Sequence, residues 1–540
     1  MRGLLPSPRD YDDLPRSWRG DILAGVTVGI VALPLALGFG ITSGAGAEAG
    51  LVTAIVAGLV AAVFGGSNVQ VSGPTGAMVV VLGPIVAVHG PASVALVSLM
   101  AGVFVLAAGV LRLGRAVSFI PWPVIEGFTL GIAVIIFLQQ IPVLTGPGEH
   151  GASHSNVVVT AVSSLASADA AYLAWSLGLV AIVALAMVVL PKWKASIPGS
   201  LVGIVVTTLL ALLVRAPLST IGTLPQAIPA PTLPPVDPAT VSSLGAAALT
   251  VAALAAIESL LSARVAASLA DTGPYEPDRE LVGQGLASVA AGLFGGMPAT
   301  GAIARTAVNV RSGARTRIAA MTHAVALLLV VLVAAGPVGY IPLAALSGVL
   351  MVTALRMVHF ATVRSVLRST RADAAAYVTT AIITVSVDLI FAVAIGILVA
   401  GVFALRALAR TTGVEREPLE RTHELGDDQI AVLRLDGPLF FAAADRVLDS
   451  VTSLDDVSVV VLRMSQLELV DATGARVLSE IVQRLEARRV TVLIKGVQEG
   501  HVELFRTVGV LAALRHENHL FTDLEPAIEH ARSHIRRDAA

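Results

Sequence analysis

The residues best placed to do chemistry in this chain sit in a Thr-Gly-Ala triplet that occurs twice, at Thr75-Gly76-Ala77 and Thr300-Gly301-Ala302. The phrase AGLVAAVFGG (57–66) precedes GPTGAM (73–78), and ASVAAGLFGG (287–296) precedes PATGAI (298–303). Each copy reads as an apolar helix, a Gly-Gly break, a Pro-bearing extended stretch and a new helix starting near the triplet. The first N–H groups of a helix have no intrahelical partner, and that end carries roughly half a positive charge. Two such ends facing one cavity suit an anion without any fixed cation. Thr75 and Thr300 add hydroxyl donors, while the Gly and Ala positions let a ligand approach the backbone. Either copy alone reads equally well as a helix N-cap beside Gly-rich packing; the recurrence favours a site.

Glu258 is the second candidate. It lies in the apolar run 246–261, where a carboxylate is costly unless it is protonated, solvated or paired. Ser262 follows one turn later on the same face. Arg264 is close by, and an interfacial Glu is the plainer alternative. Glu126, after Pro-Trp-Pro, reads as interfacial, and His89 and His323, at span ends, have no metal-ligand spacing. With no Cys there are no disulfides and no thiol chemistry. Nucleotide loop, catalytic triad and metal cluster are all missing from the pattern, so neither an enzyme nor a nucleic-acid partner is expected.

The elements that must hold these residues are membrane spans. The chain is 55% hydrophobic and 14% charged, against roughly 25% charged in a soluble domain. No Lys or Arg occurs over 20–111 or 216–263, stretches that hold several spans of about 20 residues each. Apolar runs divide into roughly fourteen passes. With the N-terminus inside, on Arg2, Arg9, Arg16 and Arg19, strict alternation makes cytoplasmic the loops with Arg112/Arg115, Lys192/Lys194, Arg264/Arg279, Arg311/Arg315/Arg317, Arg356/Arg364/Arg368/Arg371 and Arg406/Arg410. The opposite loops, 143–171 and 216–240, hold no cation. Arg215, at the outer end of a span, can snorkel. The repeat splits the passes into about seven plus seven, and an odd number per repeat inverts one against the other.

The predicted fold is therefore an α-helical polytopic membrane protein with two half-helices and a small cytoplasmic α/β domain. The boundaries are a cytoplasmic segment at 1–19, a transmembrane domain at 20–410 (repeats at about 20–215 and 240–410), a linker at 411–427 and the terminal domain at 428–536. In that domain strands are predicted at 429–435, 457–462 and 490–495, with helices at 442–451, 474–487 and near Val502 and Glu525. No removable signal peptide is read, and both termini are expected on the cytoplasmic side of the plasma membrane.

Several stretches resemble the SulP anion permeases with a C-terminal STAS domain: DILAGVTVGIVALPLALGFGI (21–41), FGGSNVQVSGPTGAM (64–78), AIESLLSARVA (256–266), GGMPATGAIARTAVNVRSGA (295–314) and, in the soluble part, VDATGARVL (470–478). The resemblance covers nearly the whole chain, in family order. It implies a core moving against a gate, a homodimer, and transport of a small inorganic or carboxylate anion, sulfate by default, with bicarbonate and C4-dicarboxylates open. It implies that Glu258 and Ser262 bind the coupling ion, H+ or Na+, with no other cofactor and no structural metal. Arg305 would lend positive field to the anion, and Phe39 would line the pocket. Many relatives carry Gln after the first-span Pro where this chain has Leu35, so one polar substrate contact is missing. Stand-alone STAS proteins phosphorylate a Ser or Thr at the place of Thr473, next to Asp471; the plain alternative is a helix cap. A regulator at the STAS domain would be a cytoplasmic partner. Other readings are a nucleobase permease, which the tail disfavours, and a membrane anion sensor signalling through STAS.

Overall fold

The computed structural model describes residues 4–115, 121–146, 156–193, 197–224, 226–269, 275–386, 389–419, 424, 426–452 and 457–538. Parts of the predicted 143–171 loop and of the 411–427 linker, and Lys194, lie outside them. The chain forms two compact units, Met1–Ile397 and Leu398–Ala540.

In the first unit, among the described residues, eight helices are long and apolar enough to cross a bilayer: Leu14–Thr42, Ala47–Phe64, Ser93–Val110, Trp122–Thr145, Ala170–Trp193, Pro238–Leu269, Ile318–Gly339 and Leu343–Arg368. Gly76–His89, Val157–Ala166 and Gly199–Val214 are apolar but shorter. Val157–Ala166 falls in the predicted external loop, so the predicted count of about fourteen passes requires Gly76–His89, Gly199–Val214, Pro277–Leu293, Ile303–Arg311, Arg371–Ser386 and Leu389–Thr411 to cross as well. Val88, Leu185, Leu213 and Val333 are exposed, as side chains facing lipid are. The two halves interlock: Leu14–Thr42 packs on Ile318–Gly339, Ser93–Val110 on Pro277–Leu293, and Trp122–Gln139 on Arg371–Ser386. Neither half buries its helices alone.

Polar pins fix this interlock. Asp21 is fully buried and accepts from Ser17 Oγ, the Arg315 and Thr316 N–H groups and Thr316 Oγ1, at 2.7–3.0 Å. Arg317 and Arg279 are not solvent-facing topology charges. Arg317 is buried and donates to the Ala62 and Gly65 carbonyls; Arg279 forks onto both oxygens of Asp10 at 3.0 and 2.6 Å. Glu280 accepts from the Gly66 and Ser67 N–H groups. At Gly66 a Cβ would lie 2.0 Å from the Glu276 carbonyl oxygen and 2.8 Å from the Glu280 nitrogen. Both are backbone atoms and cannot yield cheaply. Gly66→Ala is thus expected to cost about 3 kcal/mol, the upper end for overpacking. A size-exclusion profile and melting curve in detergent check it; a wild-type melting temperature would refute the packing.

The second unit carries a five-stranded sheet in the order β3-β4-β5-β6-β7, where β3 is Gly413–Glu417, β4 Ile430–Leu439, β5 Val459–Val470, β6 Thr491–Lys495 and β7 Leu520–Phe521. β3 runs antiparallel to β4 and the other pairs are parallel. Helices Ala444–Thr452, Ala472–Ala487, Glu499–Val508 and Leu524–Asp538 cover the sheet. β4 and β5 run well past the predicted ends at 435 and 462, while β6, Ala444–Thr452 and Ala472–Ala487 lie close to the predicted ranges. β3 corrects the predicted linker: the sheet begins at Gly413, because Val414 packs against the core that Leu433 and Leu435 help build.

Candidate functional site

Both extended stretches that follow the Gly-Gly breaks run into the middle of the first unit. There they pair antiparallel as β1 (Ser72–Gly73) and β2 (Thr300–Gly301), with Ser72 opposite Gly301 and Gly73 opposite Thr300. Side chains from the opposite half hold each stretch. Thr53, in the π turn Thr53–Ala57, donates to the Met297 carbonyl and accepts from its N–H. Gln284 Nε2 donates to Ser72 Oγ at 2.6 Å; within the second half itself, Ser288 Oγ accepts from the Ala299 N–H.

The two half-helices leave this crossing out of step. The first, Gly76–His89, starts directly after Thr75. The second, Ile303–Arg311, starts three residues after Thr300. Gly301 N–H donates to Ser259 Oγ at 3.1 Å and Ala302 N–H to the Val71 carbonyl at 2.8 Å. These two amides are consequently committed, contrary to their predicted role as free donors; the first-turn amides of the second half-helix are those of Ile303, Ala304 and Arg305. The backbone at the two glycines is also occupied. A Cβ at Gly76 would lie 2.1 Å from Ile136 and 3.5 Å from the buried Phe39 ring, and one at Gly301 would lie 1.7 Å from the Gln70 amide nitrogen. Ala77 is buried in the first turn.

Both threonine hydroxyls converge on Glu258. Thr75 Oγ1 donates to Oε2 at 2.7 Å and Thr300 Oγ1 to the same oxygen at 2.8 Å, with the hydroxyls 3.3 Å apart. Glu258 is half-buried. It stands between these hydroxyls and a cavity of about 50 Å³ whose walls include Phe128, Thr129, Ile132, Leu261 and Ile303. A carboxylate thus occupies the donors that the sequence assigned to a ligand. Ser262 does not share it: fully buried, its Oγ meets Thr306 Oγ1 at 3.3 Å. Arg305 is buried, and its Nη2 donates to the Pro74 carbonyl at 2.6 Å across the repeat boundary.

Among the described residues, Arg305 Nη1 and both amide atoms of Gln70 are buried without a hydrogen-bond partner. His323, in the second turn of Ile318–Gly339, is fully buried with both ring nitrogens unpartnered. Sequence reasoning missed Ser259, Gln70 and Thr306, which also accepts from the Val71 N–H. The available signal was the polar face Arg305, Thr306 and Asn309 on one short helix, all three buried. Glu126 accepts from Trp122 Nε1 and His89 is exposed, as interfacial residues are. Arg215 ends its helix in the left-handed region.

In the second unit Asp471 caps the helix Ala472–Ala487, accepting from Gly474 N–H at 2.7 Å, and leaves Thr473 exposed in the first turn. Also in this unit, His519, His530 and His534 meet, with ligand atoms all within 4.8 Å of one another.

Residues 18–380 match the model of the sulfate permease family, and residues 425–527 that of the STAS domain. A putative sulfate transporter of Bacillus subtilis is 36% identical over 511 residues, covering 92% of this chain and 94% of its own. A bicarbonate transporter of Picosynechococcus is 31% identical over 512 residues, covering 89% of each. Among solved structures, the transmembrane domain of a cyanobacterial bicarbonate transporter covers 72% of this chain and 98% of its own, at 31% identity and a TM-score of 0.62. The murine Solute Carrier 26 family member A9 anion transporter shares the fold at a TM-score of 0.83 and 16% identity, covering 98% of this chain and 94% of its own.

Proposed function

The chain belongs to the sulfate permease family, a family of transporters and not of enzymes, and we propose that it is a proton-coupled secondary transporter of small oxyanions, sulfate first. The observation that carries this reading is the single carboxylate oxygen of Glu258 bonded by one threonine hydroxyl from each half of the repeat. Ionised, Glu258 holds those donors and repels an incoming anion. Protonated, it gives up the negative charge and can turn one hydroxyl outward, so proton and anion enter together. Arg305 Nη1 and the Gln70 amide supply further donors beside the crossing.

The contact of Ser262 with Thr306 favours H+ over Na+ as the coupling ion, because a sodium ion needs several oxygens gathered around it and Ser262 is not gathered with Glu258. The positive-inside pattern supports termini on the cytoplasmic side of the plasma membrane. A bicarbonate reading rests on the relatives of that name at 30–31% identity.

Proteoliposomes loaded with the purified chain test this directly. Radiolabelled sulfate uptake should rise several-fold with an inward proton gradient and not with an inward sodium gradient. Unlabelled sulfate, bicarbonate and a C4-dicarboxylate compete in turn to rank the cargo. Absence of anion flux by intact, monodisperse protein would overturn the transporter reading and favour an anion sensor.

A further inference from the structure

We propose that the second unit holds a site for one divalent transition-metal ion, Zn2+ being the reference case, ligated by His519, His530 and His534. His530 and His534 lie one turn apart on the helix Leu524–Asp538, the spacing that stacks two imidazoles on one face. His519 ends the short turn Glu517–His519 that leads into β7 at the sheet edge. The three ring centroids form a near-equilateral triangle with sides of 5.5, 5.5 and 5.0 Å. One ion at its centre is within reach of a nitrogen from each.

Two further observations point to a ligand and away from plain ring packing. His519 is buried, and its Nδ1 has no hydrogen-bond partner. The same residue is bonded to the Val492 backbone, which leaves that bond to the other ring nitrogen. Metal-bound histidines are commonly oriented in this way, by a backbone carbonyl on the nitrogen not facing the metal. His516, exposed with its ring 5.4 Å from that of His519, can supply a fourth ligand or leave that place to water. An ion there would staple the last helix to the edge of the sheet.

The test uses the full chain in detergent with a histidine-free affinity tag, stripped with chelator. Titration with Co2+ should give the d–d absorption of a four-coordinate nitrogen site. One equivalent of Zn2+ should survive dialysis by elemental analysis and raise the melting temperature. Losing a group that merely orients a ligand costs about 10–100-fold in metal affinity. Loss of two ligands in H530Q/H534Q should therefore cost more than about 100-fold and erase both the spectrum and the melting shift. H501Q, whose ring stacks on Phe505 outside the cluster, should behave as wild type. If the double variant fails to fold without metal, H530Q and H534Q singly must each weaken binding at least tenfold. No stoichiometric metal on the wild-type chain, or undiminished binding by the folded variants, overturns the site.

Discussion

Glu258→Gln in proteoliposomes is expected to leave anion exchange running while abolishing accumulation driven by an inward proton gradient. The carboxylate is hydrogen-bonded at 2.7 and 2.8 Å to the hydroxyls of Thr75 and Thr300, so an anion taking the same donors must lie within a few ångströms of it. Two unit charges 4 Å apart repel by about 4 kcal/mol at an effective dielectric of 20, which is close to a factor of about 1,000 in affinity. That penalty outweighs any single hydrogen bond the site can offer, so on the proposed mechanism neutralising Glu258 would be a condition of binding. Glutamine is nearly isosteric and permanently neutral. Its carbonyl can still accept from a threonine, so the crossing stays intact and the gradient loses its purchase. Stimulation by the proton gradient should drop from several-fold to none, with uptake at alkaline pH unchanged or higher. Full gradient dependence in the variant would refute the coupling role, and a wild type driven only by sodium would move that role to Na+.

Arg305→Ala should raise the KM for the anion at least tenfold. The guanidinium is buried, ties the second half-helix to the Pro74 carbonyl and keeps Nη1 without a partner. A hydrogen bond to a charged group is worth about 1.5–3 kcal/mol, or a factor of roughly 10–150 in affinity. Arg305→Lys keeps the charge and loses the fork, so it should restore part of the affinity without the Pro74 bond. A purely structural role gives another pattern: a lower melting temperature and less active protein, with KM within twofold of wild type and no rescue by Lys.

Much of the architecture could be read from the chain because lipid imposes simple rules. Long cation-free stretches must span, and cationic loops must alternate. The repeat singled out both triplets, an apolar run singled out Glu258, and the resemblance brought Glu258 beside the triplets and added Arg305 and Phe39. Geometry decided what pattern could not. The start of the second half-helix depends on which acceptor the Ala302 amide finds, and Val71 lies 231 positions away in sequence. Ser262 shares a helical face with Glu258, but its hydroxyl is drawn to Thr306 once the second half-helix packs there. Arg317 looked like a topological charge because sequence carries no sign that the Ala62 and Gly65 carbonyls at a helix end need a donor. The histidine triangle has a visible half, the H-x-x-x-H spacing at 530 and 534; its third corner arrives only when β7 joins the sheet.

The offset between the two half-helices has a stereochemical consequence. Were the repeat perfectly two-fold at its centre, a tetrahedral anion lying on the axis would present pairs of equivalent oxygens. Here the strand of one half ends before Thr75 and its helix begins at the next residue, while in the other half the strand takes in Thr300 and Gly301 and the helix begins at Ile303, and Glu258 and Arg305 both come from the second half alone. At the proposed site the corners of a bound oxyanion would therefore lose their equivalence. A symmetric cargo would meet unlike partners at its corners, and a molecule with two unlike ends would have a preferred end to lead with.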